Sequence, residues 1–531
     1  MKKIIAILLA CIMVFGLAAC GGGGGGNNNA APAKKVLRVA TKGDPTSLMH
    51  ALVTVASFNT PAQQIMMDRL FDYDGETGKY VPMLATEAKQ IDEAGLRYRF
   101  TLRNDVVSWN GDKFTASDVL YSLKAVIDGG QQARYYGNFD IANCKVEDDT
   151  HFVLALKNPD PFILTTLSNI PYGMMVEASV KAGGGLENMT GNGGKMPNCY
   201  TGPYIPVKWE EGSQVVFQKN AKYWGGEPYF DEVILISIKD ATARVEALEG
   251  GSVDLALEPA EDMVPAIKGN SKLAILSKPT TNHHTLFLNT LKAPFDDVHV
   301  RRAFAMALDY ENNIKMALNG YGKHSDSILP VGNPQYFKPT TTYYKTDLDA
   351  AAAELKQSKY ASSMPEINLL VMPSHSAYAT LIQQQWDALG KKAGITIKVN
   401  IDTNQNEFYN RIQVDDASEK TQCWIVNNSN PNPYEQLKFY DSRFTPAALR
   451  GGPRWTYSDK DKVYGLFDKI TSEPVMEKAT PYYKELVTIM NEEVPSIPLY
   501  VPDRLAYSVN NLDGIGLTEV GDINFAKSFF K

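Results

Sequence analysis

The run Val233-Ile234-Leu235-Ile236-Ser237-Ile238 constrains this chain more than any other stretch, because a strand with one wet face alternates and this one does not. Such a strand belongs in a parallel sheet covered on both faces. Asp240 then stands where a helix N-cap is needed, Ala241 to Glu249 reads as the helix body, and Gly250-Gly251 can end it at positive φ. Val253 to Leu257 returns as the next strand. One strand–helix–strand unit of an open α/β sheet follows, with the right-handed crossover such units take. Upstream, Tyr204 to Trp209 and Gln214 to Lys219 read as a hairpin about the polar turn Glu210-Glu211-Gly212-Ser213.

A second such unit predicts a second lobe. Ile367 to Met372 is strand-like, Leu381, Ile382, Trp386 and Leu389 mark one helix face ending near Gly390 and Gly394, and Ile395, Ile397, Val399 and Ile401 alternate. Gln422 to Val426 is a further buried strand, and it runs into Asn427-Asn428-Ser429-Asn430-Pro431-Asn432-Pro433. Strands crossing between the lobes near Pro279 to Asn289 and near Tyr500 to Tyr507 would form a hinge. At 531 residues the chain has room for two or three cores. A hydrophobic share of 44% with 21% charged residues excludes a long disordered protein.

Lys2-Lys3, the apolar run Ile4 to Phe15 and the box Leu17-Ala18-Ala19-Cys20 form a signal peptide, residues 1–19, with Cys20 as the lipidated first residue of the mature chain. The run is shorter than the ~20 residues that span a bilayer. Gly21 to Gly26 and Asn27 to Asn29 follow in a flexible linker, residues 20–35, whose mean reach is on the order of 20 Å. Removing the leader deletes two lysines and takes the net charge from −7 to −9, a balance unsuited to a nucleic-acid partner. Cys144, Cys199 and Cys423 remain, with no CxxC or zinc spacing, and are taken as structural; whether two of them form a disulfide stays open.

Three blocks carry a family resemblance: Thr201-Gly202-Pro203-Tyr204 with Lys219-Asn220, Tyr223-Trp224-Gly225-Gly226, Asp240-Ala241-Thr242-Ala243-Arg244 and Val253-Asp254; Leu96 to Arg103 with Trp109-Asn110-Gly111 and Phe114 to Val119; and Phe295 to Asp309. Together they resemble the family 5 extracellular solute-binding proteins, the capture components of ABC importers for peptides, nickel, opines and some oligosaccharides. The resemblance spans nearly all of residues 36 to 525. It implies an α/β, two-lobed periplasmic-binding-protein-like fold with a hinge and an extra subdomain. The first lobe would run 36–282 with a subdomain at about 60–200, the second 283–503, and residues 504–531 would return to the first. The implied role is a monomeric, lipid-anchored extracytoplasmic protein that captures peptides for a membrane permease. A neutral polar solute such as an oligosaccharide, an opine or a nickel complex is the alternative.

Ligands collect beyond the carboxyl ends of strands in such sheets. The expected walls are therefore Thr41, Lys42 and Asp44 after the first strand, Thr201 and Tyr204, His283 near the hinge, and Trp424, Asn427, Asn428 and Asn430 from the second lobe. Tyr204 and Trp424 would offer stacking faces, so Trp424→Ala is expected to weaken binding and leave the fold intact. In peptide-binding family members an aspartate about three residues after this tryptophan neutralises the ligand's amino group. Asn427 occupies that place and supplies hydrogen bonds without charge. The arginine that dipeptide binders set against the peptide carboxylate is likewise missing between Pro373 and Gly394. No GxSxG elbow, HExxH, P-loop or cysteine–histidine metal pattern occurs, so neither catalysis nor a cofactor is expected, and a surface-anchored hydrolase is the rival of another class. His283-His284 and His375 are read as ordinary histidines, since neighbours on a strand face opposite ways.

Overall fold

The computed structural model describes residues 34–531 apart from 54–57, 75–78, 132–135, 169–171, 281, 332, 334, 341, 414–419, 430–431, 445–454 and 518–522. Cys20 and Asn430 lie outside the described residues.

The strand β1 (Val36–Thr41) opens the body. The expected hairpin forms from β2 (Tyr204–Glu210) and β3 (Gln214–Lys219), with Glu210 opposite Gln214 at its turn. Next come β4 (Glu232–Ser237), helix α1 (Ala241–Glu249) and β5 (Leu255–Leu257). β4 and β5 both pair with β1 in parallel, so the crossover steps over one strand. Asp240 caps α1 by accepting from the Ala243 N–H at 2.8 Å. The positive φ falls on the second glycine, Gly251 at 73°, while Gly250 stays helical. Val233 and Leu235 are fully buried, but Ile234 and Ile236 only half. α1 covers that second face in part, packing Val245 and Leu248 near Ile236, and beyond β4 the sheet continues into the hairpin.

Between β1 and β2 the strands Ala85–Gln90, Arg97–Leu102, Lys145–Val146 and His151–Ala155 form a separate four-stranded antiparallel sheet. The helix Ala116–Asp128 beside it starts at a Thr115/Asp118 capping box.

Downstream lie β6 (Leu273–Pro279), β7 (Asn282–Leu288), α2 (Val298–Met306), β8 (Ile367–Val371), α3 (Ser376–Ala393), β9 (Val399–Thr403), β10 (Cys423–Ser429), α4 (Pro433–Leu437), α5 (Met476–Glu493) and β11 (Ser496–Val509). The second predicted unit is present, with β8 and β9 parallel and α3 between them. β9 starts at Val399 and not at Ile395, because the Ile395 N–H turns back to the Gly390 carbonyl at 2.9 Å and closes α3 beside Gly394.

The main sheet runs β9-β8-β10-β7-β11-β5-β1-β4-β3-β2, with β6 also paired to β11. β11 is the crossing strand. Its first half faces β7, with Phe287 opposite Ser496 and His284 opposite Tyr500. Its second half faces β5 and β6, from Pro279 opposite Asp503 to Leu273 opposite Val509. Thr280 ties the two segments by donating its N–H and hydroxyl to the Pro502 carbonyl at 3.1 and 2.8 Å.

Two large apolar cores lie on either side of this crossing. One gathers Leu37, Val39, Phe100, Tyr204, Val233 and Phe525. The other gathers Phe287, Phe304, Trp386, Trp424, Tyr483 and Ile497. Within the second, Trp386 packs 4.5 Å from Phe304 and donates its indole N–H to the Phe304 carbonyl at 3.1 Å, so its polar atom is satisfied.

Candidate ligand-binding site

Loops at the carboxyl ends of strands supply one group of expected residues. Thr41 ends β1, is buried, and donates its hydroxyl to the Gly43 carbonyl at 3.1 Å, folding the chain into the next turn. Lys42 is exposed and pairs with Glu258 at 3.0 Å, a surface contact of at most about 1 kcal/mol. The Asp44 carboxylate accepts from the Gly212 N–H at the tip of the β2–β3 hairpin. Of these three, Asp44 reaches the hairpin and Lys42 reaches the residue after β5, on the other side of β1.

In the second lobe β10 is an interior strand until β8 stops. Among the described residues β8 meets it at Cys423 and Trp424, whereas β7 accompanies it to Ser429. His283 lies opposite Asn428 in that ladder, and His284 opposite Asn427. His283 and Asn428 are both buried and share Gln436 of α4: its side-chain Nε2 donates to His283 Nδ1 at 3.3 Å, and its main-chain carbonyl accepts from Asn428 Nδ2 at 3.4 Å. The His283 Nε2 and Asn428 Oδ1 atoms are buried without a hydrogen-bond partner among the described residues. With Nδ1 accepting, Nε2 carries the proton of the neutral ring. Burial, with His324 adding to it, pushes this imidazole down to about 3. Asn427, by contrast, is exposed.

Two expected stacking faces are corrected. Trp424 is 2% exposed and meets Phe287 edge-on at 6.2 Å within the second core. A strand covered on both faces buries both sets of side chains, so polar positions begin only at Asn427, beyond the end of β8. Tyr204 is wholly buried in the first core, with its hydroxyl 3.5 Å from the Phe525 carbonyl. It packs the C-terminal return segment against the hairpin.

The fingerprint around these residues proves to be architectural. Thr201 donates to buried Asp68 at 2.8 Å, and Asp68 also accepts from Trp224 Nε1 at 2.8 Å and Tyr223 at 3.1 Å. Gly202 lies so close to the end of the helix Thr60–Met66 that a Cβ would sit 2.3 Å from the Met66 carbonyl oxygen. Arg244 is buried with its guanidinium on the Ile238, Lys239, Leu257 and Glu258 carbonyls, joining both ends of the crossover unit. Asp68 and Gln436 carry no signal in the sequence. Asn432 does, since an amide before proline is a helix start, and its Oδ1 caps α4 through the Tyr434 N–H at 2.9 Å.

His284 Nδ1 and His375 Nε2 are 2.9 Å apart, and His284 stacks on Tyr500 at 4.6 Å. The strand neighbours His283 and His284 therefore serve different partners. Among the described residues no group of three or more His, Cys, Asp or Glu side chains is placed to hold a metal ion. Cys144, Cys199 and Cys423 are free thiols.

Two α/β lobes, crossing strands between them, and loops gathered at strand ends define the two-lobed periplasmic-binding-protein class. Among the described residues no helix is long and apolar enough to cross a membrane. The chain belongs to the bacterial extracellular solute-binding proteins of family 5, since the model described as Bacterial extracellular solute-binding proteins, family 5 Middle, matches residues 79–447. Di/tripeptide-binding protein 2 of Pseudomonas aeruginosa is 25% identical over 93% of this chain and 94% of its own. The ABC transporter substrate binding protein CtaP of Listeria monocytogenes superposes with a TM-score of 0.79 at 19% identity, covering 94% of this chain and 99% of that one. DppA of Helicobacter pylori, solved in complex with the peptide STSA, gives 0.68 at 20% identity over 94% and 98%.

Proposed function

We propose that this protein captures peptides outside the cytoplasm and delivers them to the permease of an ABC importer, gripping the peptide chiefly through its backbone. The supporting observation is the edge of β10: beyond Trp424 its described pairings are to β7 alone, which leaves the other side for an added strand. An extended peptide laid there gains main-chain hydrogen bonds that need no charged partner for its termini, in keeping with the neutral Asn427 and Asn428 on the same strand. Relatives that bear peptides in their names add support.

Thr41, Lys42 and Asp44 of the first lobe, with His283, Asn427, Asn428 and Asn430 of the second, are the walls of this site. Thr201, Tyr204 and Trp424 support it from behind. The first lobe takes residues 36–282, the second 283–503, and 504–531 return to the first. The mature monomer, with residues 20–35 as its linker, is anchored by lipid on Cys20.

A thermal-shift screen of the mature chain tests the reading, with di- to octapeptides, oligosaccharides, opine-like amino acids and nickel as ligands. A ligand that binds only the folded state stabilises it by about 2.7 kcal/mol at one hundred times Kd. A shift with peptides of several sequences supports backbone capture, and a shift with a neutral sugar alone refutes it. Labelling with a radioactive fatty acid, lost in Cys20→Ala, tests the anchor.

A further inference from the structure

The lobes meet a second time, far in sequence from the crossing strands. Pro159-Asp160-Pro161-Phe162 follows the subdomain strand His151–Ala155. Phe162 is 1% exposed and packs with the core of the second lobe, while its neighbours Ile163 and Leu167 pack in the first. Its ring meets Tyr483 of α5 edge-on at 6.1 Å.

Beside it the Asp160 carboxylate accepts from the Phe162 N–H at 2.9 Å and from Asn432 Nδ2 at 3.4 Å. Its carbonyl accepts from the Tyr98 hydroxyl at 3.2 Å. Asn432 is also the cap of α4, so one side chain joins a second-lobe helix to a first-lobe loop. Gly95 of the subdomain makes a third point, where a Cβ would come 2.2 Å from Pro474 Cβ.

We propose that Asp160 and Phe162 form a latch that holds the two lobes closed, and that a proton on Asp160 sets its strength. Opening uncovers the Phe162 ring and returns the Asp160 carboxyl to water. Closing brings that carboxyl against α4 and α5. The groups that face it are Glu435 from α4, Tyr483 from α5, Tyr98 and Tyr80 from the subdomain, and the Thr166 hydroxyl. Burial, with the Glu435 charge added, pushes the carboxyl up to about 6, although the Phe162 N–H pulls the other way. The closed form therefore holds the proton more tightly than an open form with an ordinary carboxyl. Closure is favoured as pH falls below about 6, and that advantage is lost as pH rises through it. From pH 7.5 to 5.0 the closing constant rises by up to about tenfold.

The inference needs lobes that open and does not depend on which solute they hold. Small-angle X-ray scattering of the ligand-free mature protein at pH 7.5 and 5.0 tests it on wild type, Asp160→Asn and Phe162→Ala, with circular dichroism as the check of folding. Wild type is expected to be more compact at pH 5.0, and Asp160→Asn compact at both values. Phe162→Ala is expected to be expanded at both. A pH response in Asp160→Asn equal to that of wild type overturns the proton's role. A folded Phe162→Ala as compact as wild type at pH 5.0 overturns the latch. Should Phe162→Ala fail to fold, the Asp160→Asn comparison decides alone. Peptide binding, scored separately, leaves either result unchanged.

Discussion

His375 should make this protein acid-labile in a way one substitution can isolate. The ring is buried, its Nε2 lies 2.9 Å from His284 Nδ1, and its Nδ1 has no partner among the described residues. Burial pushes it from 6.5 down to about 4. The unfolded chain takes up this proton below about pH 6.5 and the folded chain only near 4. Stability is therefore whole above pH 6.5 and declines as pH falls towards 4. At pH 5.0 the difference amounts to about 2 kcal/mol for this one side chain. Buried His283 and His50, lowered to about 3 and about 4, add losses of the same sign. Asp160 opposes them, since its raised value favours the folded state as pH falls. Urea unfolding of wild type and His375→Gln at pH 7.5 and 5.0 measures the term directly. Glutamine keeps an amide beside His284 and cannot titrate, so the loss between the two pH values should shrink by about 2 kcal/mol. An equal loss in both proteins would mean that His375 is protonated in the folded state as easily as in the unfolded, and the reasoning fails.

Trp424→Ala should destabilise the second lobe by about 3–5 kcal/mol, as large-to-small core changes do, with a lower urea midpoint before any ligand is added. Gly202→Ala should lower the melting temperature by several degrees, because the new methyl meets the Met66 carbonyl and the backbone there must move. Burial pushes the Cys144, Cys199 and Cys423 thiols up, so a disulfide-exchange reagent should titrate them slowly in the native protein and all at once in guanidinium. Fast native reaction would place one of them at the surface.

The sequence carried the fold far better than the site. Asp240, Asp297 and Thr115 cap helices where their residue types require it, and the apolar runs at 233–238 and 367–371 are strands of the main sheet. These are local matters, decided by neighbours a few residues away. The burial of Trp424 is not legible in the sequence, because only the sheet order tells an interior strand from its exposed end, and that order depends on β7 and β8, which are distant in sequence. Asp68 illustrates the same limit. Its partners Thr201, Tyr223 and Trp224 are more than 130 residues away, so nothing near it announces a hub. The motif residues Arg244 and Gly202 are conspicuous for their chemistry, yet their contacts hold the scaffold together.

The placement of β11 governs how such a chain can fold. It supplies the strand between β7 and β5, yet it is made of residues 496–509. Until that segment emerges, each half-sheet has a gap beside β7 or β5 and neither can close. Both halves therefore share a strand drawn from the last tenth of the chain. Chains cut before Ser496 should remain protease-sensitive throughout, with no surviving first-lobe fragment.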